Sequence, residues 1–269
     1  MYKLIHGDCL EEMDRIESGS VDMILADLPY QTTACEWDLS IPLISLWSQY
    51  KRVIKASGVI ALTSDEPFTS ILIMNDLQLF KYKWIWKKTR PTGFLDANEK
   101  PLDDYEEVII FYSIQPTYNP QRWKGNPNHV KHGKGVLINR SKIYNGKNRE
   151  IVMYQTEDKY PRKVIEIPSL NPAQKSLHPT QKPVALLSYL IKTYTNEGET
   201  VLDNTMGSGS TGEACLVTNR QFIGIELDKS YFDIATQRLA RVAAELRGEY
   251  MPKVATKMLD DLPMFKGLK

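Results

Sequence analysis

The chain has 269 residues, 42% of them hydrophobic, and its 34 basic and 33 acidic side chains leave a formal net charge of +1. That apolar content can bury a full core, which excludes bulk disorder, and the near-neutral balance leaves any polyanion-binding role to local clusters of charge. Cys9, Cys35 and Cys215 stand far apart with no Cys-x-x-Cys pair, a spacing that argues against a disulfide framework and a zinc site and fits a reducing cytoplasm.

The opening residues Met1 to Asp8 show no basic leader ahead of an apolar run. No later segment stays apolar for about 18 residues, so a soluble, unexported protein without a membrane span is expected. Val21–Ala26 is a short apolar run that reads as a buried strand, stopped by the Pro-containing turn Asp27-Leu28-Pro29-Tyr30. Ile41–Ile54 has apolar residues at helical spacing, and Gly58 introduces a second strand at Val59–Thr63, expected to be parallel to the first. A helix over Glu66–Leu77 and strands at Tyr82–Trp86 and Val108–Tyr112 continue the alternation, which implies a doubly wound sheet.

From Gln115 to about Lys175 the pattern breaks into Pro, Asn, Gly and scattered charge, the mark of a module inserted between two halves. Between Arg122 and Lys163 eleven basic residues face three acidic ones, an excess of eight positive charges. Trp123, Tyr144, Tyr154 and Tyr160 interleave with them, the mixture suited to phosphate contacts and stacking on nucleobases. After Pro183 order returns as a helix over Val184–Tyr194, a strand at Glu199–Asp203, a tight loop from Gly207 to Gly212, a helix over Thr211–Thr218, a strand at Gln221–Glu226 and a long amphipathic helix over Lys229–Leu246. Met251–Lys269 lacks periodicity and reads as a loosely docked tail.

The segment Asp203-Asn204-Thr205-Met206-Gly207-Ser208-Gly209-Ser210-Thr211-Gly212 lies between a strand and a helix, so its glycines let the backbone turn sharply and approach a nucleotide-like ligand. Its glycine spacing fits both the dinucleotide fingerprint and the P-loop. The P-loop fails because Glu213 and Ala214 stand where Lys and Ser or Thr must meet phosphate and magnesium. Glu226 follows Gly207 by nineteen residues at a strand end, placed to hold the two hydroxyls of an adenosine ribose. Both NAD and S-adenosyl-L-methionine carry that ribose, so an NAD-dependent oxidoreductase is the rival reading. Asp203 suits the cationic amino-acid end of the sulfonium cofactor and would repel a pyrophosphate.

An exocyclic amino nitrogen is a poor nucleophile because its lone pair is delocalised into the base. The Asp27 carboxylate and the Leu28 carbonyl could each accept one of its N–H groups and aim the lone pair at a methyl donor. Pro29 stiffens the turn, and Tyr30 offers a face on which an extruded base can stack, since the nitrogen is inaccessible inside a duplex.

Asp27-Leu28-Pro29-Tyr30, then His178-Pro179-Thr180-Gln181-Lys182-Pro183, then Asp203 to Gly212 and Phe222-Ile223-Gly224-Ile225-Glu226 together resemble the beta-class DNA amino-methyltransferases, in residue type and in chain order. The resemblance covers most of the chain. It implies an α/β fold with a mainly parallel, Rossmann-like, seven-stranded sheet containing one antiparallel strand, circularly permuted relative to most methyltransferases. It also implies a catalytic half at residues 1–114, a target-recognition insertion at 115–175, a cofactor half at 176–250 and a tail at 251–269. Carried over to this chain, the target-amino role falls to Asp27, Leu28, Pro29 and Tyr30, and the methionine end of S-adenosyl-L-methionine to Asp203, Met206, Gly207, Ser208, Gly209 and Ser210. Glu226 would hold ribose, Asp8 the cofactor adenine, and His178, Thr180 and Lys182 would lie near the cofactor carboxylate. Leu28 stands where the family commonly has a first proline, and keeps the carbonyl while losing rigidity; Met206 replaces a common phenylalanine and keeps a polarizable contact. The implied reaction is site-specific methylation of double-stranded DNA by direct displacement on a flipped-out base. An acidic first residue in the turn points to adenine N6, with cytosine N4 as the alternative. RNA or a protein amide would suit the same turn chemistry, and the basic insertion favours nucleic acid. The resemblance further implies a homodimer.

Overall fold

The computed structural model describes residues 1–29, 41–124, 135–138, 150–153, 158–169 and 181–249, with backbone alone at 135–138 and 150–153. Tyr30, His178, Thr180 and the tail from 250 onward lie outside the described residues.

The strands in chain order are β1 (Tyr2–His6), β2 (Val21–Asp27), β3 (Ile54–Ser64), β4 (Phe80–Thr92), β5 (Asp103–Phe111), β6 (Trp123–Lys124), β7 (Gly135–Ile138), β8 (Glu150–Met153), β9 (Asp158–Lys159), β10 (Val164–Glu166), β11 (Thr200–Asp203) and β12 (Gln221–Glu226). The helices are α1 (Cys9–Met13), α2 (Leu43–Val53), α3 (Phe68–Asn75), α4 (Val184–Tyr194), α5 (Ser210–Val217) and α6 (Lys229–Leu246). One eight-stranded sheet runs β1-β12-β11-β2-β3-β5-β4-β10. Every neighbouring pair is parallel except those made by β5, which is antiparallel to β3 and to β4.

The central strands are apolar on both faces because helices cover both. Met23, Leu25, Val59, Ala61, Val108, Ile110 and Val201 pack under α4, α5 and α6 through Leu187, Leu190, Ala214 and Leu239. Ile24, Ile60, Leu62, Ile109 and Leu202 pack on the other face under α1, α2 and α3, through Met13, Trp47, Tyr50 and Leu72. The right-handed crossovers of parallel strands demand such a three-layer arrangement. Among the described residues no helix is long and apolar enough to cross a membrane.

The structure corrects several sequence expectations. The sheet has eight strands rather than seven, because β10 adds to the outer side of β4. That short strand lies inside the stretch expected to be inserted, yet belongs to the main body. The compact second unit is Pro120–Arg162, and Met1–Asn119 with the chain from Lys163 onward forms the first. Both ends of the first unit's interruption are tied down: the Asn119 amide donates to the Thr193 carbonyl at 2.7 Å, its side chain donates to the Thr195 carbonyl at 3.1 Å, and the Lys163 carbonyl accepts from the Ile85 amide at 2.8 Å. Within the second unit, β6 pairs with β9 and β7 with β8, both antiparallel.

The strands at 82–86 and 108–112 form a hairpin, β4 against β5, instead of a βα unit; Pro91, Gly93 and Pro101 punctuate their connection, and Gly93 takes φ +82°. Strand β3 begins at Ile54, directly after α2, because residues 55–58 form an irregularity in its pairing with β2. Gly58 is required there, since a Cβ would come within 2.9 Å of the Asp22 carbonyl oxygen. Strand β1 and helix α1, which drew no sequence expectation, complete the sheet edge beside β12.

Candidate active site

Side chains alternate across a strand, so a run that buries every second residue carries that rhythm into its last residue. On the face covered by α4, α5 and α6, Met23 and Leu25 lead to Asp27, Val59 and Ala61 to Thr63, Val201 to Asp203, and Phe222 and Gly224 to Glu226. The antiparallel β5 reaches the same edge by its beginning, so Ile110 and Val108 lead back to Glu106, while Trp84 and Trp86 of β4 lead forward to Lys88. Six strands thus place a polar or charged residue on one face at one edge, where the apolar core stops.

A cavity of about 320 Å³ opens at this edge. Of the residues singled out in the sequence, Asp8, Asp27, Leu28, Pro29, Lys182, Asp203, Met206, Gly207, Ser208, Ser210 and Glu226 line it. Gly209 is not on that wall. It stands at φ +81° at the start of α5, its amide donates to the Met206 carbonyl at 2.9 Å, and a Cβ would meet Ala235 Cα at 3.2 Å. Its role is close packing of the loop on α6.

Asp27 is the most tightly held of the strand-end acids. Thr63 Oγ1 donates to its Oδ1, Lys182 Nζ donates to its Oδ2 at 2.7 Å, and its main-chain carbonyl accepts from Thr205 Oγ1 at 3.0 Å. Lys182, buried one residue before the Pro183 cap of α4, also lies 3.2 Å from Glu106 Oε2, and Glu106 Oε1 lies 3.0 Å from Lys88 Nζ. Burial alone would lower the Lys182 ammonium, but attraction to Asp27 and Glu106 outweighs it and leaves the group above its ordinary value. Lys182 therefore sits on the Asp27 carboxylate.

The loop after β11 is shaped by its glycines and by one arginine. Gly207, at φ +50°, donates its amide to Glu226 Oε2 at 2.8 Å, and the Asp228 amide donates to Oε1 at 2.8 Å. Each carboxylate oxygen keeps a further lone pair, so Glu226 retains capacity for two hydroxyls. Arg238, buried on α6, donates through Nη1 to the Ser208 carbonyl at 3.2 Å and to Ser210 Oγ at 3.0 Å, while its Nε lies 2.5 Å from Glu213 Oε2. Ser208 and Ser210 are thus pinned from behind. Met206 is buried between the cavity and the core beside Gly224 and Phe222.

Asp203 is buried, and desolvation pushes its carboxyl up to about 7 despite hydrogen bonds from Thr211 and from the Thr205 amide. Burial likewise raises Glu226. Asp8 caps α1, its Oδ1 accepting from the Leu10 and Glu11 amides at 2.8 and 3.3 Å. The arrangement presents three carboxylates, Asp8, Asp203 and Glu226, to a cavity whose visible ammonium is already neutralised. Such a wall attracts a cation and a vicinal diol and repels a pyrophosphate, which disfavours the NAD-dependent reading.

Thr63, Thr205, Glu106, Lys88 and Arg238 were missed in the sequence. For Thr63 the signal was present as the polar residue that ends the apolar run Val59–Leu62, whereas Glu106, two residues ahead of Val108–Phe111, is marked only once the direction of that strand is known. For Arg238 there was none, because its partners lie about a helix away.

The family model described as DNA methylase, N6_N4_Mtase, matches residues 21–237. DNA adenine methyltransferase YhdJ of Escherichia coli is 28% identical over 280 aligned positions, covering 96% of this chain and 89% of that protein. Type II methyltransferase M.HpaI of Haemophilus parainfluenzae is 27% identical over 88% of this chain and 74% of its own length. Among solved structures, the M1.HpyAVI–SAM complex superposes with a TM-score of 0.61 at 24% identity, covering 89% of this chain and 99% of that one. The cytosine-N4-specific PvuII DNA methyltransferase also gives 0.61, at 12% identity over 93% of each chain. The two structures share the fold, and the model match over most of the sequence settles the kinship: the chain belongs to the DNA methylase family.

Proposed function

We propose that this chain transfers a methyl group from S-adenosyl-L-methionine to the N6 amino group of adenine in double-stranded DNA. The observation that carries the reading is the opening of Asp27 and Asp203 onto one cavity, an amino-group acceptor beside a pocket built for a cationic nucleoside. The residues fit the cofactor. Asp203 would hold its ammonium, the two spare lone pairs of Glu226 its ribose diol and Asp8 its adenine, and the chain could come close at Gly207, where no Cβ intervenes.

When bound, the cofactor supplies an electrophilic methyl group on a sulfonium. Asp27 accepts one N–H of the target amino group and the Leu28 carbonyl the other, which draws the nitrogen toward a pyramidal geometry and exposes its lone pair. Attack on that methyl would form the N–C bond as the methyl–sulfur bond breaks and its electron pair passes to sulfur, leaving S-adenosylhomocysteine; the nitrogen, then cationic, would shed a proton that Asp27 is placed to take. Thr63 and Lys182 hold the carboxylate in position through Oδ1 and Oδ2. Tyr30 is assigned the stacking face for the extruded base, and His178, Thr180 and Lys182 the neighbourhood of the cofactor carboxylate.

The acid at position 27 and the relative named as a DNA adenine methyltransferase support adenine. The second unit supports a nucleic-acid partner. Arg122 stacks on Tyr160 at 4.6 Å and Arg162 lies over Trp123 at 5.9 Å, while the two rings stay 65% and 47% exposed. Target recognition is assigned to this unit, the working state to a homodimer and the compartment to the cytoplasm. Labelled cofactor incubated with unmethylated DNA, followed by nucleoside analysis, tests the reading: N6-methyladenine that disappears in Asp27→Ala supports it. N4-methylcytosine would keep the chemistry and change the base, and label found only in RNA or protein would overturn the substrate.

A further inference from the structure

We infer that Glu106 is a positioning residue that draws Lys182 away from Asp27 as the target amino group arrives. The inference rests on the role given above to Asp27.

Both oxygens of Asp27 are already engaged, Oδ1 by Thr63 and Oδ2 by Lys182. An incoming N–H therefore competes with a donor already in place. A buried ammonium leaves a carboxylate only where another anion waits for it, since an unpaired charge away from water is strongly disfavoured. Glu106 is that anion. Its Oε2 already forms an ion pair with Lys182 Nζ at 3.2 Å, longer than the 2.7 Å between that ammonium and Asp27 Oδ2, and this buried oxygen makes no other polar contact among the described residues. Its other oxygen is held by Lys88 at 3.0 Å, which fixes the side chain and leaves Oε2 turned to Lys182.

Exchanging the short contact to Asp27 for the longer one to Glu106 takes a small movement of one ammonium, and frees Oδ2 of Asp27 for the amino group. Charge stays balanced throughout, because Asp27 and Glu106 offset Lys182 and Lys88. With glutamine at 106, Lys182 faces Asp27 as its one remaining carboxylate among the described residues and loses its alternative site. The fold explains why the residue escapes notice: Glu106 enters the edge from the start of the one antiparallel strand, far in sequence from either motif.

The test is single-turnover methyl transfer with cofactor and DNA pre-bound to the full chain. Glu106→Gln is expected to slow transfer by about tenfold or more, a loss confined to the chemical step, with affinities for S-adenosylhomocysteine and DNA unchanged. Lys182→Met should slow the parent enzyme yet speed the Glu106→Gln variant, because it removes the cation locked on Asp27. This reversal of sign is a result that a merely structural role for Glu106 does not produce. Parent-like transfer by Glu106→Gln, or further loss on adding Lys182→Met, overturns the inference. Should Glu106→Gln fail to fold, Glu106→Asp replaces it: the shorter carboxylate is expected to slow transfer with binding retained, and a parent-like rate again overturns the inference. Asp27→Ala is run beside them. If it transfers at the parent rate, the reading of Asp27 itself has failed, a distinct result.

Discussion

The Tyr50 hydroxyl donates to Asn204 Oδ1 at 2.6 Å, joining the buried side of α2 to the residue that follows Asp203. Tyr50 is fully buried, and burial raises its phenol well above the ordinary value, so it acts as a neutral donor. Cys9 is buried beneath the same cavity wall, and burial pushes its thiol up to about 11. The cavity wall is thus braced from the far face of the sheet.

Tyr50→Phe is expected to lower stability by about 1–3 kcal/mol, because a buried amide oxygen loses its partner without gaining water. Chemical denaturation checks this. Since Asn204 lines the cavity, cofactor affinity should fall in the same variant.

Asp203 makes binding depend on pH. Its carboxyl, raised by burial to about 7, holds a proton in the folded state that the unfolded chain has already released. Its contribution to stability therefore falls as pH rises from the ordinary carboxylate range to about 7, and is level above it. Ligand affinity runs the other way, because the ionised form attracts the ammonium of the amino-acid end. Affinity for S-adenosylhomocysteine should rise by up to about tenfold between about pH 6 and about pH 8, and Asp203→Asn should abolish the slope. Calorimetric titration across that range gives the answer, and a flat profile for the parent protein would refute it.

Arg238 holds the glycine loop through Ser208 and Ser210 and pairs with Glu213. Arg238→Met leaves a largely buried carboxylate unpaired and should cost about 3–5 kcal/mol of stability. Adding Glu213→Gln should restore part of that stability but not cofactor affinity, since the serines remain unheld. Thermal melts with and without S-adenosylhomocysteine separate the two effects.

In the second unit, Trp123→Ala and Tyr160→Ala are each expected to weaken DNA binding by about 1–3 kcal/mol while sparing cofactor affinity. Charge reversal at Arg122 and Arg162 should weaken binding to all sequences and flatten its salt dependence. Fluorescence anisotropy at several salt concentrations measures both.

Much of the cavity wall after β11 was legible because its chemistry is compressed into one stretch: Asp203 through Gly212 signals a turn, a close approach and a carboxylate within ten residues. Val21–Ala26 likewise reads as a strand buried on two faces, and Asp27 as its polar end. What stayed hidden was whatever depends on strand direction. Val108 and Ile110 are equally apolar in a parallel or an antiparallel strand, so the sequence could not say which end of β5 meets the site, and Glu106 drew no expectation. Gly209 carries the same composition signal as Gly207, yet its surroundings are Ala235 and Leu239, contacts contributed by a helix that begins twenty residues later. Tyr2 and Leu4 alternate with polar neighbours over too few residues to stand out as β1, which is defined by its pairing with β12.

Asn119 and Lys163 fasten the chain to the main body on either side of the second unit. Those fastenings mark where one coding segment can be exchanged for another. A replacement of different length would inherit anchored ends and leave the sheet's pairings intact, so under the role proposed for this unit a new target sequence would be acquired in one exchange with the cavity's residues unchanged.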